Sequence, residues 1–422
     1  MKGPFERRGV HWWVSEEVEA ASVLDLAEAA LRAVEGGALA NVKGGRRKAL
    51  YRWPAEGDRP ALLLKSNAYP GRAAFRRRLT GSKSRHELRL AEAVSARRIP
   101  TPTPWIVGEE RRGPRLVRCW SLVPMLDGVV DLRAGVRGGA LGPSQRRRLA
   151  EPFGAFAASL HAAGLDQDDF SPNNFLVRPG TPPRFWAIDF ERARLGRPVP
   201  EARAAAQLSK LWRELTRTSR SERLRFLRGY APGREATWAA RLGAAQLART
   251  REDWRRWSQV AKGDGRRFHA LREAGLATWY RDHAPGRPDA ADLGAAAGPA
   301  RLEGRELRVP LGAAGGFDDW VAAHLLAFRE LGPEPLALWR GASGACLLYR
   351  VPERARIVPA DAASGPGEAA AIRTLEALLR EICVWRPPGP RTLAMAAGPD
   401  GRPRALCHDP RGVRPRPRSD EA

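Results

Sequence analysis

From Ala38 the chain alternates short apolar runs with polar turns. ALANVK runs into Gly44-Gly45, KALYRW into Glu56-Gly57-Asp58-Arg59-Pro60, and Ala61 to Leu64 closes at Lys65. Runs of this length between turn formers predict three strands. The spacing changes at KSRHELRLAEAVSARR, residues 83–98, which reads as a helix. It stops at Ile99-Pro100-Thr101-Pro102-Thr103-Pro104, because proline blocks a helix and drives the preceding residue to extended backbone. Strands follow at 105–107 and 115–123, then a helix over 144–163. Phe175-Leu176-Val177, a turn at Pro179-Gly180-Thr181-Pro182-Pro183 and Phe185 to Ile188 predict a hairpin, and 201–230 is helical again. Ahead of all this, a helical pattern starts at Ser15 as its cap, with Val18, Leu24, Leu31 and Val34 on its apolar positions. The mixture makes the fold class α+β.

The hairpin organises the chemistry. It places Asp169 and Asn174 before its first strand and Asp189 just after its second, so the three polar groups can meet at one end of a small sheet. Mg²⁺ takes oxygen ligands, commonly one or two carboxylates with phosphates and water. An Asp and an amide oxygen, here Asp189 and Asn174, can hold it. A second Asp, here Asp169, can orient an attacking hydroxyl and accept its proton. That set suits phosphoryl transfer.

Asp169-Phe170-Ser171-Pro172-Asn173-Asn174 and Asp189-Phe190 resemble the catalytic loop and Asp-Phe-Gly segment of the protein-kinase-like fold. SLHAAGLDQDDFSPNNFLV followed by AIDFERARLG is similar to the lipopolysaccharide kinase family of the Kdo/WaaP type, over roughly residues 37–230. Glu191-Arg192-Ala193-Arg194 stands where that family carries an Arg-rich run, and Gln167 departs from the His of many kinases. The resemblance implies a two-lobed fold using ATP and Mg²⁺. It puts Lys65 on the nucleotide's phosphates, Glu87 in the ion pair that orients Lys65, and the Gly44-Gly45 turn over the phosphates. The hinge that holds the adenine would be WSLVPML at 120–126. The implied acceptor is a sugar hydroxyl, Kdo or heptose, of the lipopolysaccharide inner core. A protein or other small-molecule acceptor, and a non-catalytic pseudokinase scaffold, are the alternatives.

Charge adds a partner class. The 422 residues carry 72 Lys and Arg against 47 Asp and Glu, a net charge of +25, and only seven of the cations are lysine. Such an excess faces an anion: nucleic acid, anionic lipid or a phosphorylated glycan. With no zinc-finger spacing and no aromatic-plus-basic RNA signature, specific nucleic-acid binding is not expected. Cys119, Cys346, Cys383 and Cys407 are scattered, which argues against a disulfide framework or a thiolate metal site. No apolar run reaches the ~18–20 residues needed to span a bilayer, and the N-terminus lacks the apolar core of a signal peptide. The expectation is a cytoplasmic protein with peripheral contact to the anionic inner membrane.

The second half reads as an eroded copy. GDGRRFHA at 263–270 aligns with GGRRKA at 44–49, and PRALCHDPRGVRP at 403–415 with PRFWAIDFERARL at 183–195, so that Asp409 falls on Asp189. Residues 323–341 echo the helix, proline turn and strand of 85–107. Gly389 and Ala394 stand where Asp169 and Asn174 would, and no Lys follows Lys262. The expected organisation is an N-terminal helical extension at 1–36, a catalytic domain at 37–260, a degenerate kinase-like domain at 261–412 and a disordered tail at 413–422. The stretch around 284–300 reads as linker.

Overall fold

The computed structural model describes residues 1–45, 47–57, 59–71, 74–75, 77, 81–215, 218–261, 268–273, 276–281, 300–312, 315–328, 332–342, 344–353, 355–359, 365–385, 392–397, 403–410 and 413–415. They form two compact units: 1–136 with 140–207 and 219–235, and 137–139 with 208–218 and 236–422. The 284–299 stretch, Gly389 and residues 416–422 lie outside the described residues, while Val413–Pro415, expected in the disordered tail, form a strand paired with Cys383–Trp385.

The first unit opens with strands β1 (Lys2–Arg7) and β2 (Val10–Val14) and helix α1 (Ala20–Glu35). Next come β3 (Asn41–Gly45), β4 (Lys48–Trp53), β5 (Leu62–Ala68), α2 (Lys83–Ser95), β6 (Ile106–Arg112) and β7 (Arg115–Pro124). The strands make one antiparallel sheet in the order β1-β2-β6-β7-β5-β4-β3. Residues 1–36 are therefore not a wholly helical extension, because the apolar alternation of Val10, Trp12 and Val14 extends the sheet beyond β6. The helix is capped by Glu19, whose carboxylate accepts from the Ala21 and Ser22 amides at 2.8 and 2.7 Å. Ser15 instead donates its amide to the Trp105 carbonyl. Val23, Leu24, Ala27 and Ala30 of α1 cover one sheet face through Trp12, Leu62, Leu64, Ile106, Trp120 and Leu122. Burying such aliphatic side chains contributes ~1.5–3 kcal/mol each.

The rest of this unit holds β8 (Val130–Asp131), α3 (Leu132–Arg137), α4 (Pro143–Ala162), β9 (Leu165–Gln167), β10 (Phe175–Arg178), β11 (Arg184–Ala187) and β12 (Ala193–Leu195). Helices α5 (Glu201–Glu214) and α6 (Arg220–Tyr230) follow, with α5 contributing its last turns to the second unit. β10 lies between β11 and β8, and β12 pairs with β9. Phe153 of α4 is the hub beneath them, with ring centres 5.4 Å from Phe175 and Phe185 and 5.6 Å from Phe226.

The second unit contains α7 (Glu235–Val260), β13 (Phe268–Glu273), β14 (Leu276–Arg281), β15 (Arg301–Glu303), β16 (Glu306–Gly312), α8 (Phe317–Phe328), β17 (Glu334–Arg340) and β18 (Ala345–Arg350). It continues with β19 (Arg356–Pro359), α9 (Pro366–Ile382), β20 (Cys383–Trp385), β21 (Thr392–Ala397), β22 (Pro403–Leu406) and β23 (Val413–Pro415). Its large sheet has the order β13-β14-β17-β18-β16-β15. That is the first unit's β1-β2-β6-β7-β5-β4, strand for strand, with a helix inserted at the same place. The small pieces repeat too: β19-β21-β22 answers β8-β10-β11, and the β20–β23 pair answers β9–β12.

The topology corrects one sequence alignment and keeps another. Residues 268–270 belong to β13, whose place is that of β1, so they do not align with the Gly44-Gly45 hairpin. β22 and β23 take the places of β11 and β12, so 403–415 does lie over 183–195.

Candidate functional site

The site is built on β5, α2 and the loops around β9–β11. Lys65 sits mid-strand in β5, paired across the sheet with Ser121 of β7. Its Nζ lies 2.8 Å from Glu87 Oε1 on α2. Ser82 starts α2 by accepting from the Arg85 amide, which fixes where the first turns point. Burial alone would push the Lys65 ammonium down. The charge and hydrogen bond of Glu87, helped by Asp189, outweigh it and hold the pKa above the ordinary lysine value. The lysine is thus kept charged in a partly dry place, as a phosphate-binding cation requires.

The catalytic-loop segment is fixed by its own backbone. The Ser171 amide donates to the Asp169 carbonyl at 2.8 Å, and Asn174 Nδ2 donates to the same oxygen at 2.7 Å. The Asn174 carbonyl accepts from the Ile188 amide at 2.9 Å, tying the loop to the strand that leads into Asp189. Since the amide nitrogen of Asn174 is used inward, its Oδ1 is the atom left for a cation. One carboxylate and one amide oxygen are hard donors of the kind Mg²⁺ accepts. Among the described residues, no cluster of three His, Cys, Asp or Glu could hold a metal. A cation held by Asp189 and Asn174 would fill its remaining positions with water and substrate phosphate.

Asp189 has φ of 61°, in the left-handed region that few non-glycine residues enter. Gln167 supports that bend. Its Nε2 donates to the Asp189 carbonyl at 3.0 Å and lies 3.4 Å from that of Ile188. The residue that departs from the kinase His therefore still braces the loop, a role the sequence gives no sign of. Asp168, next to Asp169, pairs with Arg203, which also takes Asp166. These two carboxylates hold Arg203 above its ordinary value. Phe170 is fully buried against His161 and Phe175, at 5.0 and 4.9 Å between ring centres.

Gly44 and Gly45 close the β3–β4 hairpin opposite Ala49 and Lys48. Gly44 has φ of 128°, and a Cβ there would run into the Lys48 carbonyl, so only glycine fits. Gly45 carries no such requirement. Three residues missed at the sequence level stand beside this hairpin: Glu191 pairs with both Lys48 and Lys83. The usable signal was the scarcity of lysine, since three of the seven gather here.

In the second unit the place of Lys65 is apolar. The Met125 amide donates to the Ala61 carbonyl at 2.8 Å, and the Val351 amide to that of Arg305 at 2.9 Å, which aligns β5 with β16. Four residues beyond each acceptor stand Lys65 and Val309. Val309 is 3% exposed and packed with Leu307, Leu311, Trp320 and Leu347.

Residues 71–230 match the family model described as lipopolysaccharide kinase (Kdo/WaaP), a family of ATP-dependent phosphotransferases. A solved structure, "WaaP in complex with acyl carrier protein", aligns at 21% identity over 57% of this chain and 97% of that one, with a TM-score of 0.42. No curated protein matches the chain.

Proposed function

Taking the lipopolysaccharide kinase match over residues 71–230 as the premise, we propose that the first unit transfers the γ-phosphoryl group of ATP to a sugar hydroxyl, Kdo or heptose, of the lipopolysaccharide inner core. The observation that carries this reading is the Lys65–Glu87 pair at 2.8 Å, in one unit with a braced Asp169–Asn174 loop. Lys65 neutralises phosphate charge, and Glu87 keeps it aimed. Asp169 orients the acceptor hydroxyl and takes its proton as the oxygen bonds to the γ-phosphorus and the bond to ADP breaks. Asn174 and Asp189 would hold Mg²⁺, which supplies charge neutralisation on the phosphates. The Gly44 turn leaves backbone free to approach the phosphates closely.

A lipid-linked acceptor calls for a membrane surface. Among the described residues no helix is long and apolar enough to cross one. The first unit does carry a groove of about 600 Å³ between α4 and α6, lined by Arg147, Arg148, Arg225 and Arg228 against the single carboxylate of Glu151. Arginine forks suit phosphate headgroups, and we assign peripheral contact with the anionic inner membrane to this groove. The second unit, with Val309 at the lysine position, is a non-catalytic partner domain.

The test is transfer from labelled γ-ATP to dephosphorylated core lipopolysaccharide, with Asp169→Asn beside wild type. Transfer by wild type alone, with the variant reduced at least ~100-fold, is expected. Transfer to a protein or a free amino sugar instead would move the acceptor. Failure of wild type to bind Mg-ATP would replace this reading with a scaffold.

A further inference from the structure

Lysine is scarce in this chain, yet Lys48, Lys65 and Lys83 stand around the same cleft. Lys65 has its carboxylate partner in Glu87. The other two share Glu191. Lys48 Nζ is 3.5 Å from one Glu191 oxygen, and Lys83 Nζ pairs with the other. Glu191 thus joins the rim of the β3–β4 hairpin to the first turn of α2. It does so from two residues beyond Asp189, whose left-handed backbone turns the chain toward the sheet. Lys48 lies on the cleft face of that sheet. In the β4–β5 ladder Leu50 is opposite Lys65 and Lys48 opposite Asn67, so the alternation sets Lys48 and Lys65 on one side.

The charges around this carboxylate do not balance. Burial, then the fields of Lys48, Arg77 and Arg192, push Lys83 below the ordinary lysine value, with Asp189 opposing. Lys48 and Lys83 converge on the one carboxylate of Glu191, and Asp189 is the group the proposed mechanism commits to a metal. Two ammonium groups drawn to one carboxylate repel each other, and a further anion between them relieves that repulsion. Lys83 and its neighbours also stand at the amino end of α2, where the helix dipole favours negative charge. Glu191 is mostly buried, while Lys48 remains 67% exposed and free to swing.

We propose that Lys48 and Lys83, supported by Arg77 and Arg192, form a second oxyanion site at the cleft mouth, which takes a phosphate group, and that Glu191 holds the two lysines until that group displaces it. The phosphate comes either from the nucleotide's terminal end or from an acceptor that already bears one. This rests on the kinase reading for its place in the reaction, but the site is tested without transfer.

The experiment titrates the full chain with pyrophosphate, inorganic phosphate, AMP and a non-hydrolysable ATP analogue by calorimetry. Wild type, Lys48→Met/Lys83→Met, Glu191→Gln and Lys65→Met are compared, with circular dichroism and the thermal midpoint to establish folding. The double variant is expected to bind pyrophosphate at least ~10-fold more weakly, and Glu191→Gln several-fold more tightly, since a competing carboxylate charge has gone. If the ATP analogue weakens with pyrophosphate while AMP does not, the site serves the nucleotide. If the analogue is unchanged and inorganic phosphate still weakens, it serves the acceptor. A folded double variant that binds pyrophosphate and phosphate like wild type overturns the site. Glu191→Gln without tighter binding overturns the displacement. Loss of ATP binding by wild type, with pyrophosphate still bound through Lys48 and Lys83, removes the kinase reading and leaves the site.

Discussion

His161 shows how one buried side chain sets an acid limit. Burial lowers it to about 4, with its Nε2 3.1 Å from Gln207 Oε1 and its Nδ1 2.7 Å from the Tyr230 hydroxyl. The folded pKa lies below the unfolded value of 6.5, so the native state holds the neutral ring. Its contribution is complete above pH 6.5 and is lost as pH falls toward 4, at about 1.4 kcal/mol per pH unit. His161→Phe loses two hydrogen bonds and is less stable at pH 7, but the loss between pH 7 and pH 5 should be smaller than in wild type. Urea unfolding at the two pH values reads this; an unchanged slope would exclude His161 as the group. Neither this linkage nor the brace made by Gln167 was readable in the sequence, because each depends on which buried neighbours the fold supplies. Lys65 and Glu87 were readable as a pair, since a lone lysine in an apolar run is followed by a helix with only two carboxylates, although the strand runs on past Lys65 to Ala68. Asp169 was singled out from Asp168 by its spacing to Asn174, and in the fold Asp168 is engaged by Arg203.

At the scale of elements, strand and helix positions followed the alternation and the turn formers closely. The predicted KALYRW strand is β4, and the hairpin predicted around Pro179–Pro183 is β10–β11. What failed was the chain's start, where a helical pattern from Ser15 drew attention from the short hairpin before it. Two-residue turns and five-residue strands leave little periodicity to count. Helix contacts were equally hidden. α4 and α6 approach so closely that a Cβ on Gly154 would overlap the Phe226 carbonyl and one on Gly229 the Glu151 carbonyl. Gly154→Ala should therefore destabilise the first unit by ~1–3 kcal/mol, although alanine is the better helix former by ~1 kcal/mol. The measurement is a thermal midpoint, and an unchanged or higher midpoint would show that the crossing has room to relax. The same helices carry the arginine groove, so the variant should also weaken sedimentation with anionic vesicles if the groove is the membrane contact.

The whole molecule is two turns of one topology with different interiors. The repeat was legible at its C-terminal end, where β22 and β23 take the places of β11 and β12. It was misread at 268–270, because the piece that recurs there is the β1–β2 hairpin, which the sequence had not revealed in the first unit either. The interiors then set the two units apart. At the position of Lys65 the second unit has Val309, packed with Leu307, Leu311, Trp320 and Leu347. His324 on α8 stacks on Trp257 at 5.3 Å and is lowered to about 3 by burial, so it too is uncharged near neutrality. A cation placed at Val309 meets aliphatic carbon in a filled core rather than a carboxylate and a cleft. Val309→Lys should consequently cost several kcal/mol, of the order of an unpaired buried charge, without restoring nucleotide binding. Calorimetry should find one nucleotide per chain in wild type and one in this variant. Lys65→Met should abolish that single event while leaving the fold intact. Two binding events in wild type, or nucleotide bound by Lys65→Met with full affinity, would place a working site in the second unit and overturn the division of labour argued from its core.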